Sequence, residues 1–304
     1  MRRREFLMGA MLGPSTPSVP NSILIHEHVL VDFIGAEKAS PSRYDAEEVF
    51  RIARPKLEEL KSFGCVRLHE CTPNYLGRDA RLCARLQEAA GIEIWTNTGI
   101  YGAANRSAVP EFARQESARD LAKRYVSEWK NGIGGLKPRF IKTAVNGFPL
   151  EPLDRKLVEA AAMASLETGL PIASHTNGGG PAAEAQLEIL AGLHCPAAKF
   201  IWVHAHSEKD HKFHESVART GAWVEFDGIS ESSAEWHREC VEWMQGRGAL
   251  TQVLISQDAG WYHVGEKGGG TYRGYTYLYS GFLPLIPASY WGRLLVDNPR
   301  RAFA

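Results

Sequence analysis

Apolar and polar positions along the chain follow two periods in turn. Short runs rich in β-branched and aromatic residues read as strands, and longer stretches with apolar residues at i, i+3 and i+4 read as helices. The first strand is Leu24-Ile25-His26-Glu27-His28-Val29-Leu30. A helix follows over Asp45–Phe63, with Val49, Ile52, Ala53, Leu57 and Leu60 at helical spacing and Gly64 as its stop. Further strands are predicted at 65–70, 92–98, 140–145, 171–176, 199–204, 222–228 and 252–257. Helices are predicted between them at 79–90, 110–130, 152–168, 182–191, 209–220 and 234–245. A Gly- and Tyr-rich loop over 260–281 precedes a last helix at 288–296. No linker of shifted composition interrupts this alternation. The pattern predicts an α/β protein, a single (β/α)8 TIM barrel over residues 21–304. An open doubly wound sheet is the runner-up, but it gives no reason for this number of units.

Composition narrows the function classes. Of 304 residues, 44% are hydrophobic and 23% charged, as in an ordinary globular protein. Lys+Arg and Asp+Glu balance at 35 each, so no bulk field draws the chain to nucleic acid or to a membrane surface. A small-molecule substrate is the expected partner, and a homodimer stays open. The five cysteines are odd in number and lack CxxC spacing, which argues against a disulfide framework and a cysteine zinc knot. No apolar run approaches the ~20 residues that span a bilayer. The segment Arg3-Arg4-Glu5-Phe6-Leu7 resembles a twin-arginine export signal, which would make the protein periplasmic. The apolar stretch behind it is short, and without a working signal a cytoplasmic location is expected. In either case residues 1–20 are expected to lie outside the fold.

Barrels of this kind carry their chemistry at the C-terminal ends of the strands. His26 and His28 share one face of strand one, as two imidazoles aimed at one metal would. Strand four supplies Lys142, strand five ends in His175, strand six in His204 and strand eight in Asp258. Each is unremarkable alone; together they converge on one rim. A lysine at a barrel mouth is costly to desolvate, and as a cation it repels metal. Reacted with carbon dioxide, Lys142 becomes an anionic carbamate whose two oxygens can bridge two divalent ions about 3.5–4 Å apart. A substrate-binding or Schiff-base lysine is the competing reading.

In these residues the chain resembles the phosphotriesterase-like branch of the amidohydrolase superfamily. The resemblance runs from about Ile23 to the C-terminus. It rests on His26-Glu27-His28, the stretch from Thr72 to Asp79, Thr98-Gly99-Ile100-Tyr101, Ile141-Lys142, Ser174-His175-Thr176, Val203-His204, Asp258-Ala259-Gly260-Trp261-Tyr262 and Asp297-Asn298-Pro299-Arg300-Arg301. It implies that His26, His28 and Asp258 hold the more buried metal, and that His175 and a strand-six histidine hold the more exposed one. Carboxylated Lys142 and a hydroxide would bridge the two. Two departures stand out. Val203-His204-Ala205-His206 offers two strand-six candidates; His204 is favoured at the end of the apolar run, while His206 shares its face if the strand continues. Glu70 stands where relatives carry Asp, and a structural role is expected for it.

The expected chemistry is metal-assisted hydrolysis of an ester-like bond, with Asp258 as the proton shuttle. Zinc suits the donor set, though manganese, iron and cobalt also fit it. Lactone or carboxylic-ester cleavage is the favoured reaction and phosphotriester hydrolysis the alternative. A one-metal deaminase needs no bridging lysine, and a non-catalytic binding barrel needs no proton shuttle. Tyr101, Trp261, Tyr262, Lys267 and Arg273 are candidate substrate contacts, the last four in an expected aromatic lid after strand eight.

Overall fold

The computed structural model describes residues 17–304. The Arg3-Arg4 motif lies outside the described residues. The folded chain begins slightly earlier than expected: Val19 is buried, and its N–H donates to the Phe63 carbonyl. Eight parallel strands follow one another in sequence order: β1 (Ser22–Glu27), β2 (Cys65–Glu70), β3 (Glu93–Thr98), β4 (Pro138–Val145), β5 (Ile172–Thr176), β6 (Phe200–Val203), β7 (Trp223–Phe226) and β8 (Val253–Ile255). Helices α1 (Ala46–Glu59), α2 (Ala80–Ala90), α3 (Ala118–Asn131), α4 (Pro152–Thr168), α5 (Gly179–Gly192), α6 (His211–Arg219) and α7 (Ala234–Gly246) lie between them. The chain is a single (β/α)8 barrel. Among the described residues no helix is long and apolar enough to cross a membrane.

Local chemistry sets the boundaries. Asp45 and Asp79 cap α1 and α2 by accepting the Glu47 and Leu82 amides. The single helix expected over 110–130 is two pieces, Glu111–Gln115 and α3, because Ser117 is extended and caps a new start through the Asp120 amide. The last predicted helix is also segmented, with a wider turn over Arg293–Asp297 between Ala288–Gly292 and Asn298–Ala302.

The barrel closes at its C-terminal rim. Glu27 and Ala259 bridge in parallel, the Asp258 N–H donates to the His26 carbonyl and the His28 N–H to that of Ala259. The buried Glu27 carboxylate ties this seam by accepting from the Ala259 and Gln257 amides and the Ser256 hydroxyl. Gly260 permits the approach: with φ +97°, a Cβ there would lie 1.8 Å from the His28 carbonyl oxygen. Gly99 does the same beside β4, where a Cβ would meet the Lys142 carbonyl oxygen at 2.2 Å.

Inside the barrel, Ile23, Ile25, Phe140, Ala173, Ile201, Trp223 and Leu254 form an apolar layer capped by Phe303 from the C-terminus. The larger hydrophobic cluster lies between strands and helices. The expected aromatic lid is not one. Tyr275 and Tyr279 are fully buried, and Tyr275 donates to the His28 carbonyl. Tyr262-His263 forms a short parallel pair with Leu30-Val31. The loop after β8 is therefore part of the scaffold behind β1.

Candidate metal centre

A cavity of about 100 Å³ opens at the C-terminal rim. It is lined by His26, His28, Phe33, Cys71, Pro73, Leu76, Tyr101, Lys142, His175, His204, Asp258 and Trp261. All six candidate metal ligands thus meet in one place, with Tyr101 and Trp261 beside them.

Backbone irregularities aim these side chains. Ile23 and Ile25 face the barrel interior, and strict alternation would turn His26 away. The register between β1 and β2 shifts between Leu24 and Glu27, and His26 faces inward after all. Strand β6 stops at Val203, and His204 takes a left-handed conformation with φ 61° that turns its ring into the mouth. Asp258 has φ 51° just past β8. His206 sits in the turn Ala205–Ser207, off the strand, and packs on His237 at 4.7 Å. Of the two strand-six candidates only His204 lines the cavity.

Neighbouring groups fix the histidine tautomers. Thr72 Oγ1 donates to the Leu30 carbonyl at 3.0 Å, so it must accept from His28 Nδ1 at 2.7 Å. His28 Nε2 is left as a lone pair, only 3.0 Å from Asp258 Oδ1. That oxygen is buried and has no hydrogen-bond donor. Two lone pairs facing each other at this distance, in a buried site, call for a cation shared by both, a metal ion or a proton. His26 Nδ1 lies 2.9 Å from Asp227 Oδ2 and 2.6 Å from Glu225 Oε1, while its Nε2 lies 3.2 Å from Lys142 Nζ. His204 Nδ1 donates to Asp227 Oδ1 at 2.7 Å. His175 lies 4.4 Å from the His204 ring and reaches the Tyr101 hydroxyl through Nδ1 at 3.1 Å. His26, His28 and Asp258 offer ligand atoms within 4.8 Å of one another. His26, His204 and Asp227 do so as well, but Asp227 sits on the Nδ1–H side of both rings and orients them.

The electrostatics favour the neutral, ligand form of three of the four mouth histidines. Burial, reinforced by Lys142, lowers His26 to about 3, and burial also lowers His28 and His175, so these rings are neutral donors. For His204, burial is outweighed by the Asp227 carboxylate, which raises it. Burial opposes ionisation of Asp258, but positive charge shared with His28, His26 and His204 holds it well below the usual carboxylate range. In the buried pair, Asp227 stays ionised beside His204 and His26, while burial and Asp227 push Glu225 up.

The remaining expectations fall elsewhere. Tyr262 is buried and donates to Glu48 at 2.9 Å. Arg273 spends its guanidinium on the backbone carbonyls of Gln257, Asp258 and Ile229. Lys267 lies in an outer turn and does not line the cavity. None of the three touches the mouth, because the loop that carries them folds back onto β1. Glu70 accepts the Val29 and Thr72 amides and so braces the partner of His28. Glu225 and Asp227 were missed as histidine partners. Their signal is legible in Trp223-Val224-Glu225-Phe226-Asp227, two carboxylates two residues apart on one strand face. Phe33, exposed beside Trp261, and Cys71 also line the cavity without a sequence signal.

Comparison with known proteins finds relatives along nearly the whole chain. The phosphotriesterase family profile covers residues 8–303. A phosphotriesterase homology protein of Escherichia coli is 28% identical over 292 residues, 92% of this chain and 97% of that protein. The crystal structure of that protein, complexed with phosphate in its active site, superposes with TM-score 0.79 and 26% identity over 93% of this chain and 99% of that one. An aryldialkylphosphatase of Saccharolobus solfataricus is 28% identical over 206 residues, 67% of this chain and 65% of that enzyme. A phospho-furanose lactonase of Mycoplasmopsis synoviae is 24% identical over 279 residues, 82% of this chain and 79% of that enzyme. With the fold, the rim histidines and a family match along nearly its whole length, this chain belongs to the phosphotriesterase family, a family of hydrolases that generally depend on divalent metal.

Proposed function

We propose that this protein is a two-metal hydrolase that cleaves a small lactone or carboxylic ester. The observation that carries the reading is the buried face-off of Asp258 Oδ1 and His28 Nε2, with no donor between them. His26, His28 and Asp258 would hold one ion, His175 and His204 the other, and carboxylated Lys142 would join them. When bound, the ions supply Lewis acidity and an activated water near neutral pH. Zinc matches the imidazole and carboxylate donors, and manganese, iron or cobalt also suit them.

The chain's own groups have distinct tasks. Asp258, ionised at neutral pH, takes the proton released during attack and passes it toward the leaving oxygen. Burial pushes the Tyr101 hydroxyl up, so it stays protonated and can donate to the substrate beside His175. Trp261, Phe33 and Leu76 form the apolar wall. The cavity of about 100 Å³ favours a small ring or short acyl group over a bulky triester; pockets for drug-sized ligands run to roughly 300–1,000 Å³. Phosphotriester cleavage, the activity named for one relative, is the second reading.

The test is a screen of lactones, carboxylic esters, phosphotriesters and N-acyl amides on metal-reconstituted protein with metals counted per chain. Two metals at the mouth, lost in part or whole in Lys142→Ala, and preferred lactone or ester turnover are expected. Fewer than one metal per chain with no turnover in any class overturns the reading. Reconstitution with 13C-bicarbonate is expected to give a carbamate carbon resonance that Lys142→Ala lacks. If Lys142→Ala keeps metal content and rate, the bridged site is wrong.

A further inference from the structure

A second group of metal-ligand side chains lies outside the barrel, between α6 and α7. His211 opens α6 and His214 follows three residues later, so both imidazoles share one helix face. Cys240 on α7 faces them. One ring nitrogen from each histidine and the Cys240 sulfur lie within 4.8 Å of one another. His214 and Cys240 are fully buried, and His211 is stacked between Trp236 and Trp243 at 5.0 and 4.9 Å.

Hydrogen bonding selects the nitrogens that converge. His214 Nε2 lies 2.8 Å from the Ala205 carbonyl, which only accepts, so Nε2 carries the proton and Nδ1 is a lone pair. His211 Nδ1 stands 3.1 Å from it. If a neutral His211 met that lone pair with an Nδ1 proton, its bare Nε2 would face the Glu239 carboxylate 3.5 Å away. That buried nitrogen has no hydrogen-bond partner. With the proton on Nε2 instead, His211 points N–H toward Glu239, and the two Nδ1 lone pairs converge on a shared point. A cation belongs there. The 3.1 Å separation is close to the edge of roughly 3.3 Å between two nitrogens bound to tetrahedral zinc. The Ala205 carbonyl then plays the outer role that metal-bound histidines call for, and the Glu239 carboxylate supplies negative charge 3.5 Å from His211 Nε2.

A proton is the simpler occupant, making His211 an imidazolium between two indoles. It would have no use for Cys240, whereas a borderline-soft metal ion would bind that sulfur. We propose that His211 Nδ1, His214 Nδ1 and Cys240 Sγ form a zinc site, separate from the barrel mouth, that clips α6 to α7. Binding displaces the thiol proton to solvent and leaves a thiolate on the ion. The clip backs onto the turn after His204: Ala205 is its hydrogen-bond partner, and Trp236 Nε1 donates to the His206 carbonyl at 2.7 Å.

Cobalt(II) separates this site from the mouth, where the proposed ligands are nitrogen and oxygen. Metal-free full-length protein titrated with cobalt is expected to develop a near-ultraviolet thiolate-to-cobalt charge-transfer band. The band should persist in Cys71→Ala, which removes the thiol lining the mouth, and vanish in Cys240→Ala. Zinc should bleach it. No band in folded wild-type protein at saturating cobalt overturns the proposal, as does a band that survives Cys240→Ala. If Cys240→Ala fails to fold by circular dichroism, His211→Gln decides the matter. Cobalt affinity at the band should fall roughly tenfold or more, and an unchanged affinity overturns the proposal. None of these readouts depends on catalysis at the mouth.

Discussion

Buried histidines occupy both levels of the barrel interior, and they are held in opposite ways. At the mouth, Thr72 and Asp227 each fix one nitrogen of His28 or His204 and leave the other facing the cavity. One level down, His69 is fully buried, but neither of its nitrogens has a hydrogen-bond partner. It stacks on Trp95 at 4.8 Å and meets the edge of Phe303 at 4.3 Å. Burial lowers it well below its ordinary value, so it is a neutral aromatic plate. A buried histidine is poised as a ligand when a second residue dictates its tautomer and a third atom shares its target. Strand position alone does not confer the role.

The sharpest way to break this contrast is at Asp258. Asp258→Ala should lower kcat by about 10²–10⁴-fold while the barrel still folds; a smaller loss, measured in steady state on reconstituted protein, removes it from the chemistry. Phe303→Ala attacks the lower level and should destabilise the fold by about 3–5 kcal/mol in denaturant melts. Metal stoichiometry should stay that of wild type, because Phe303 touches no ligand. Asp227→Asn should weaken metal affinity by roughly 10–100-fold through loss of histidine orientation, read by competition with a chelator.

Glu70 tests the bracing of the mouth. Burial raises its carboxyl to about 7 from 4.5. Between those values the folded state binds more protons than the unfolded chain, so stability falls as pH rises from 4.5 to about 7 and levels off above. Glu70→Gln should flatten that segment relative to wild type in pH-dependent melts. An identical slope in both proteins would assign the titration elsewhere. The smallest effect belongs to His69→Phe. It should leave metal content unchanged and shift stability by less than about 1.5 kcal/mol, since one flat ring replaces another. A loss of metal would mean that the two levels are coupled.

Much of this was legible in the chain. Hydrophobic periodicity gave the eight strands and their order, since each buries one face on the helices and the other in the barrel. The residue types at strand ends picked out His26, His28, Lys142, His175, His204 and Asp258 as a set. The loop after β8 was misread because glycines and exposed-looking tyrosines resemble a lid. Their hydroxyls instead find partners such as the His28 carbonyl, which lies 247 residues away in sequence.

Sequence alone determined the barrel and the list of rim residues, because strand period and ligand chemistry are local properties. Tertiary structure alone decided which nitrogen of His28 and of His204 is free, that His204 and not His206 turns inward, and that Arg273 serves the backbone. Those choices depend on Thr72, Asp227 and three carbonyls brought close by closure of the barrel. They also depend on a register shift and left-handed residues that period-two reasoning cannot anticipate.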